Sequence, residues 1–118
     1  PEEPSERVRA LLEALLEQYR RRGSPHPLDA AAEVHDVFVV ARVTAVVDFN
    51  AALAERHRSG ILVEQLTLAS VARTINANLP AIRQVKFLVE GQERETLAGH
   101  ADLSVVYDVS TIGEMVRE

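Results

Sequence analysis

Four histidines, His26, His35, His57 and His100, are the side chains of this chain best suited to proton transfer or metal binding near neutral pH. None recurs at the HxxxH spacing that sets two imidazoles on one helix face, and none stands in a cluster of acids. Each is therefore read as a surface or loop histidine, and no metal is expected. His100 and Asp102 could form an acid–base pair, but a two-residue spacing in an irregular segment fixes no geometry. No GxSxG pattern supplies a nucleophile. Gly91 and Gly99 make neither a GxGxxG nor a GKS/T phosphate loop. A turn needing positive φ explains Gly91, and a tight corner explains Gly99. Asp48 and Asn50 alternate like calcium ligands, but the run of acids an EF-hand needs is missing, so an Asx turn at a strand end is expected. Arg20-Arg21-Arg22 suits the negative end of a helix better than a lipid or nucleic-acid site. No catalytic residue and no cofactor is expected.

Bulk composition narrows the classes further. The chain has 118 residues, 47% hydrophobic and 26% charged, the balance of one globular domain able to bury a core without staples. It contains no cysteine, which removes disulfides, thiolate metal sites and a cysteine nucleophile. A formal charge of −5, with Lys86 the single lysine among thirteen basic residues, disfavours nucleic acid as a partner. No apolar run approaches the ~20 residues that span a bilayer. The chain starts at Pro1 rather than Met, so a processed or excised piece is expected, with any signal or membrane anchor upstream.

The elements that would position these residues follow from periodicity. Pro1–Pro4 reads as a frayed acidic lead-in. Ser5 is placed to cap a helix, and Val8, Leu11, Leu12, Leu15, Leu16 and Tyr19 then make one apolar stripe, predicting a helix over 5–22 that Gly23 ends. Ser24–Leu28, with two prolines, reads as a loop. Glu33–Val40 and Val43–Phe49 are β-branched and aromatic and flank Ala41–Arg42, the pattern of an antiparallel hairpin. Ala51–His57 reads as a short helical turn. A second helix is predicted over 63–78, with Leu68, Val71, Ala72, Ile75 and Leu79 buried and Pro80 as its stop. Gln84–Glu90 is a third strand with Val85, Phe87 and Val89 on one face. A turn at Glu90-Gly91-Gln92 leads to Arg94–Leu97, expected as a short edge strand. Ser110–Glu118 is weakly amphipathic and reads as a terminal helical turn.

Each helix has one apolar face, so the economical fold is α+β: a two-layer sandwich with both helices on one face of a three- or four-stranded mixed sheet. The second helix carries the chain from strand two to strand three, which makes those strands parallel. Strand order stays open. One domain is expected over 1–118, with its core at about 5–108.

Val85–Ser104 reads Val85-Lys86-Phe87-Leu88-Val89-Glu90-Gly91-Gln92-Glu93-Arg94-Glu95-Thr96-Leu97-Ala98-Gly99-His100-Ala101-Asp102-Leu103-Ser104. This stretch resembles the signature of GerMN domains, named from a spore-germination lipoprotein: a last strand, an acidic-Gly turn and a Gly-His-x-Asp-Leu-Ser segment, in order. Ala10–Glu17 resembles the family's opening helix, Thr44–Phe49 its second strand, and Thr74-Ile75 with Leu79-Pro80 its second helix and stop. Where the family often has proline or a basic residue after Ser104, this chain has Val105-Val106-Tyr107, a run that would extend pairing or expose an apolar edge. The resemblance makes Gly91, Gly99, His100, Asp102 and Leu103 structural signature residues. It implies a non-catalytic, extracytoplasmic module on a lipoprotein or other membrane-anchored chain, akin to ring-building motifs and acting in envelope assembly.

Within that reading Leu103 is expected to plug the core and Asp102 or Ser104 to bind nearby N–H groups. Function is expected in protein–protein contact through a sheet edge or the uncovered sheet face, with Arg94, Glu95 and Val106 as interface candidates. The partners would be other envelope proteins or copies of the chain itself, not nucleic acid, with membrane reached only through an anchor outside the chain. The alternative is binding of cell-wall glycan or a small ligand, which the absence of Trp and the 4% aromatic content disfavour.

Overall fold

The computed structural model describes residues 3–21, 23, 24 and 28–115, with backbone alone over 113–115. Pro25, His26 and Pro27 of the expected loop, Arg22 and the last residues of the tail lie outside the described residues. The elements run α1 (Pro4–Arg20), β1 (Val34–Val40), β2 (Thr44–Phe49), α2 (Ala51–Glu55), α3 (Ile61–Asn78), β3 (Gln84–Val89), β4 (Val106–Asp108) and α4 (Val109–Met115).

In α1 the stripe resolves into Val8, Leu12 and Leu16, fully buried at four-residue spacing. Ser5 does not cap it. The helix begins a residue earlier, with Pro4 in the first turn, where its missing N–H costs nothing, and Glu3 at the cap without a side-chain bond. It also ends before residue 22: Arg21 is already extended, and the left-handed residue is Gly23, at φ 82°. α3 starts two residues ahead of the expected Val63, from Gly60, and buries Leu68, Val71, Ala72 and Ile75. Tyr19 Oη and Ser70 Oγ meet at 2.5 Å and tie α1 to α3.

The four strands lie in the order β1-β2-β3-β4. β1 and β2 are antiparallel, β2 and β3 parallel across the α2–α3 connection, and β3 and β4 antiparallel. The hairpin turns on Ala41 and Arg42, both left-handed at φ 53° and 66°, with Val43 N–H donating to the Val40 carbonyl at 3.2 Å. Two positive-φ residues in succession match the twist of a hairpin, although neither residue here is the glycine or asparagine that tolerates them best.

Register sorts the side chains onto two faces. Ala45, Val47 and Phe49 stand beside Val85, Phe87 and Val89, and Val85 beside Tyr107. That face is buried, with Phe49 stacked on Phe87 and Phe87 edge-on to Tyr107. It forms one core with the stripes of α1 and α3, so both helices cover the same side. The opposite face carries the row Phe38, Val46, Lys86 and Val106, of which Phe38 and Val106 are 51% and 53% exposed.

One expected element is corrected. Arg94–Leu97 is not an edge strand: Thr96 makes an isolated bridge to Asp102, and the fourth strand is Val106–Asp108. The segment after β3 turns into the molecule and buries Leu97, Ala101 and Leu103. Burying three apolar side chains outweighs the few ladder bonds that a four-residue edge would add.

Candidate functional site

The signature residues form a loop that leaves β3, crosses the end of the sheet and returns as β4. It opens on Glu90 and Gly91, at φ 53° and 73°. Asp48 of β2, largely buried, accepts the Gly91 N–H at 2.8 Å, and Glu90 Oε2 accepts the Ala51 N–H at 2.7 Å. Asp48 and Asn50 therefore hold backbone rather than a cation. Asn50 Oδ1 accepts from Glu33 and Leu53 N–H, each at 3.1 Å, capping α2, while its Nδ2 donates to the Ala31 carbonyl. Among the described residues no three His, Asp or Glu side chains are grouped to hold a metal ion.

The centre of the loop is held by a residue that the sequence reading passed over. Glu64, in the first turn of α3, is fully buried. Its Oε1 accepts the N–H groups of Ala98 at 2.9 Å, His100 at 3.0 Å and Ala101 at 2.8 Å. Its Oε2 accepts the Gly60 N–H at 3.0 Å, a bond back to the helix cap, and lies 3.0 Å from His100 Nδ1. Burial alone would raise this carboxyl, but the N–H groups of Gly60, Ala101 and Ala98 and the His100 ring together pull it below its ordinary 4.5, to about 2. A buried carboxylate with five donors is a fully satisfied anion, and four of its bonds go to the turn around Gly99, at φ 111°. One local signal marked it: Glu64 falls four residues before Leu68, in phase with the buried stripe.

Ser59, His100 and Glu64 are adjacent, which invites comparison with a serine-type catalytic triad. The geometry is different. Ser59 Oγ and Glu64 Oε2 approach the same imidazole atom, Nδ1, at 3.2 and 3.0 Å. A triad needs the hydroxyl on one ring nitrogen and the acid on the other, so that one accepts a proton while the other is held. Ser59 also donates its proton to the Ala98 carbonyl at 2.9 Å. The cluster fastens the loop and does not have the arrangement of a serine-type triad.

Beyond Gly99 the loop closes on itself. Leu103 is fully buried, and Asp102 Oδ1 accepts both the N–H and the hydroxyl of Ser104, at 2.7 and 2.6 Å. Those two bonds hold the Asp102 carboxyl below its usual range. Tyr107 donates its hydroxyl to the Asp102 carbonyl. Burial raises that phenol, and the Asp102 charge adds to the effect. Lys86, reaching across the open sheet face, donates to the Leu103 carbonyl and to Glu93, each at 3.0 Å.

Of the three interface candidates, Val106 lies in β4 at a sheet edge, with Val105 beside it 42% exposed, while Tyr107 between them and the core is buried. Arg94 is half-buried, its Nε donating to the Thr96 carbonyl at 2.8 Å, and exposed Glu95 accepts the Leu103 N–H through its carbonyl. Arg94 and Glu95 thus sit on the loop, not on a strand edge. His35 is exposed, 3.9 Å from Glu90. His57, expected at the surface, is buried instead. It is 8% exposed because the short α2 folds it against α3, where Nε2 meets Thr67 Oγ1 at 2.6 Å and Nδ1 meets the Arg58 carbonyl. A groove of about 410 Å³ between α1 and β1 is lined by Arg9, Glu13, Glu17 and Arg20, whose charges are paired within α1.

Three comparisons bear on what this fold is. Three solved structures share it at low identity. A chain described as a lipoprotein of Clostridium perfringens superposes with a TM-score of 0.77 and 21% identity, over 91% of this chain and 70% of that one. The first GerMN domain of the Bacillus subtilis sporulation protein GerM gives 0.59 and 21%, over 87% and 77%. The tandem GerMN domains of the same protein give 0.57 and 22%, over 80% of this chain and 35% of theirs. No curated protein matches the chain. A model of the Germane family, described as sporulation and spore germination, matches residues 1–95, ending short of the Gly99–Ser104 segment. With the GerMN architecture and a family match over most of its length, the chain belongs to the Germane family of sporulation and spore germination.

Proposed function

We propose that this domain is a non-catalytic protein–protein assembly module of the cell envelope. It would act outside the cytoplasm, held to the membrane through a segment outside the chain. The observation that carries the reading is the open sheet face. Phe38, Val40 and Val106 are each more than half exposed on one side of a sheet whose other side is closed by helices. β1 and β4 are the two edge strands of the sheet, and an edge is a template for pairing across chains. The polar groups of the signature loop are consumed in holding backbone, which fits a scaffold that presents a surface. Family membership supports a place in sporulation or germination. The likeness to a lipoprotein supports an extracytoplasmic location, and no helix among the described residues is long and apolar enough to cross a membrane.

The test is crosslinking in the native envelope with photoreactive residues at Val106, Phe38, Arg94 and Glu95. Val106 and Phe38 are expected to capture a defined protein, another envelope component or a second copy, with Arg94 and Glu95 marking the rim. Capture of a wall fragment or metabolite in place of protein would overturn the assembly reading in favour of ligand binding.

A further inference from the structure

The sheet has two edges, and they are defended differently. β4 is three residues long and ends in Asp108, whose carboxylate is turned onto Ser110. Short length is itself a guard against pairing. β1 is seven residues long, and only its first half is guarded. The register shifts between Val34 and Asp36, Arg9 of α1 donates to the His35 carbonyl at 2.8 Å, and Asp36 Oδ1 accepts the Val37 N–H at 3.0 Å. From Phe38 to Val40 the edge has no charge, proline or bulge, and Phe38 and Val40 are 51% and 53% exposed.

We propose that this open half of β1 pairs antiparallel with the same strand of a second copy, about a two-fold axis at Val39. This rests on the assembly reading and names its partner and register. In an antiparallel pair, opposite residues share a face. A two-fold at Val39 sets Phe38 opposite Val40 of the second copy, and Val40 opposite its Phe38, so the exposed side chains cover one another on the open face. The same axis brings Arg42 of the second copy, in the turn just past the end of its β1, toward Asp36. The acid and the base stand three positions before and after Val39, so the segment carries complementary charge at mirrored offsets. Arg42 is exposed and makes no ion pair or hydrogen bond among the described residues. Asp36 is exposed too: its Oδ1 accepts the Val37 N–H and lies 4.0 Å from Arg9 Nη1, so Arg42 of the second copy would add a second cation on the side of Oδ2. Arg42 stands in the left-handed turn that follows β1, two residues past the end of the free edge. An alternative register with Phe38 opposite itself would leave Asp36 against Val40 and lose the ion pair.

The chain has no cysteine, so single-cysteine variants report cleanly. Phe38→Cys and Val40→Cys chains, mixed in equal amounts and mildly oxidised, should yield the mixed disulfide beyond its random share over either homodimer. In sedimentation equilibrium, Arg42→Glu should weaken dimerisation about tenfold by opposing two acids, and adding Asp36→Lys to that chain should restore it. A preference for homodimer disulfides, failure of the charge swap, or a monomer at about 1 mM, the weak end of specific association, would overturn the pairing. Envelope crosslinking separates this from the broader reading. A different protein captured at Val106, with no copy captured at Phe38, removes the self-pairing and leaves assembly intact, whereas no protein captured at either position removes both.

Discussion

Glu64 Oε1 lies 2.8 Å from the backbone nitrogen of Ala101, a residue 37 positions further along the chain, and both groups are buried. That bond, with its neighbours to Ala98 and His100, replaces the strand pairing that the loop forgoes. Replacing Glu64 with Gln removes the charge and turns an amide donor toward N–H groups that need acceptors. The expected loss is about 3 kcal/mol, the free energy of a shift of this size, read as a lower urea midpoint at neutral pH. Amide exchange should accelerate at Ala98, His100 and Ala101 before it does in the sheet.

The same carboxylate sets an acid limit. Its folded pKa, about 2, lies below its ordinary 4.5, so its contribution is complete above 4.5 and is lost as pH falls toward 2. Asp102 and Asp108 are lowered as well and add to the same slope. Urea unfolding between pH 5 and 2 should show stability falling, and the slope should be shallower in Glu64→Gln. Equal slopes in the two proteins would show that the carboxylate is not stabilised in the folded state.

Leu103 and His100 stand close in sequence and differ in consequence. Leu103 is fully buried, whereas the His100 side chain is 49% exposed and reaches the buried Glu64 carboxylate through Nδ1 alone. Leu103→Ala should cost about 2–5 kcal/mol through the cavity it opens, and His100→Ala about 1 kcal/mol or less. Thermal and urea unfolding of the two variants check the order. A larger loss for His100→Ala would mean that the histidine, not the leucine, anchors the loop.

Asn50 joins three segments through one amide: it caps α2, accepts from Glu33 and donates to Ala31. Asn50→Ala should cost about 1–2 kcal/mol, and Asn50→Asp less, because the carboxylate keeps the cap and loses only the bond to Ala31. Differential scanning calorimetry should rank the midpoints native, Asp, Ala.

Phe38→Asp and Val106→Asp should leave unfolding free energy within about 0.5 kcal/mol, since neither side chain is buried, while abolishing capture of a partner in the envelope. Stability and capture lost together would place these residues in the fold rather than in the contact.

Local pattern carried much of this protein into view. The four-residue recurrence of Val8, Leu12 and Leu16, the alternation of Val85, Phe87 and Val89, and Pro80 after α3 are short-range signals of burial. Between them they determined the elements, the parallel join of β2 to β3 and the single covered face. Gly91 was legible for the same reason, since a positive φ is a local demand. What lay beyond local pattern was decided by contacts between distant segments. Arg94–Leu97 follows the Glu90-Gly91-Gln92 turn as a returning edge strand would, yet it yields to Val106–Asp108 because burying Leu97, Ala101 and Leu103 in the core outweighs edge pairing. His57 reads as a loop residue until α2 folds it onto Thr67. Glu64 looks like an ordinary first-turn acid favoured by the helix dipole. Only the folded chain brings to it the unpaired N–H groups of a turn more than thirty residues away, and no spacing within α3 encodes where those donors will be.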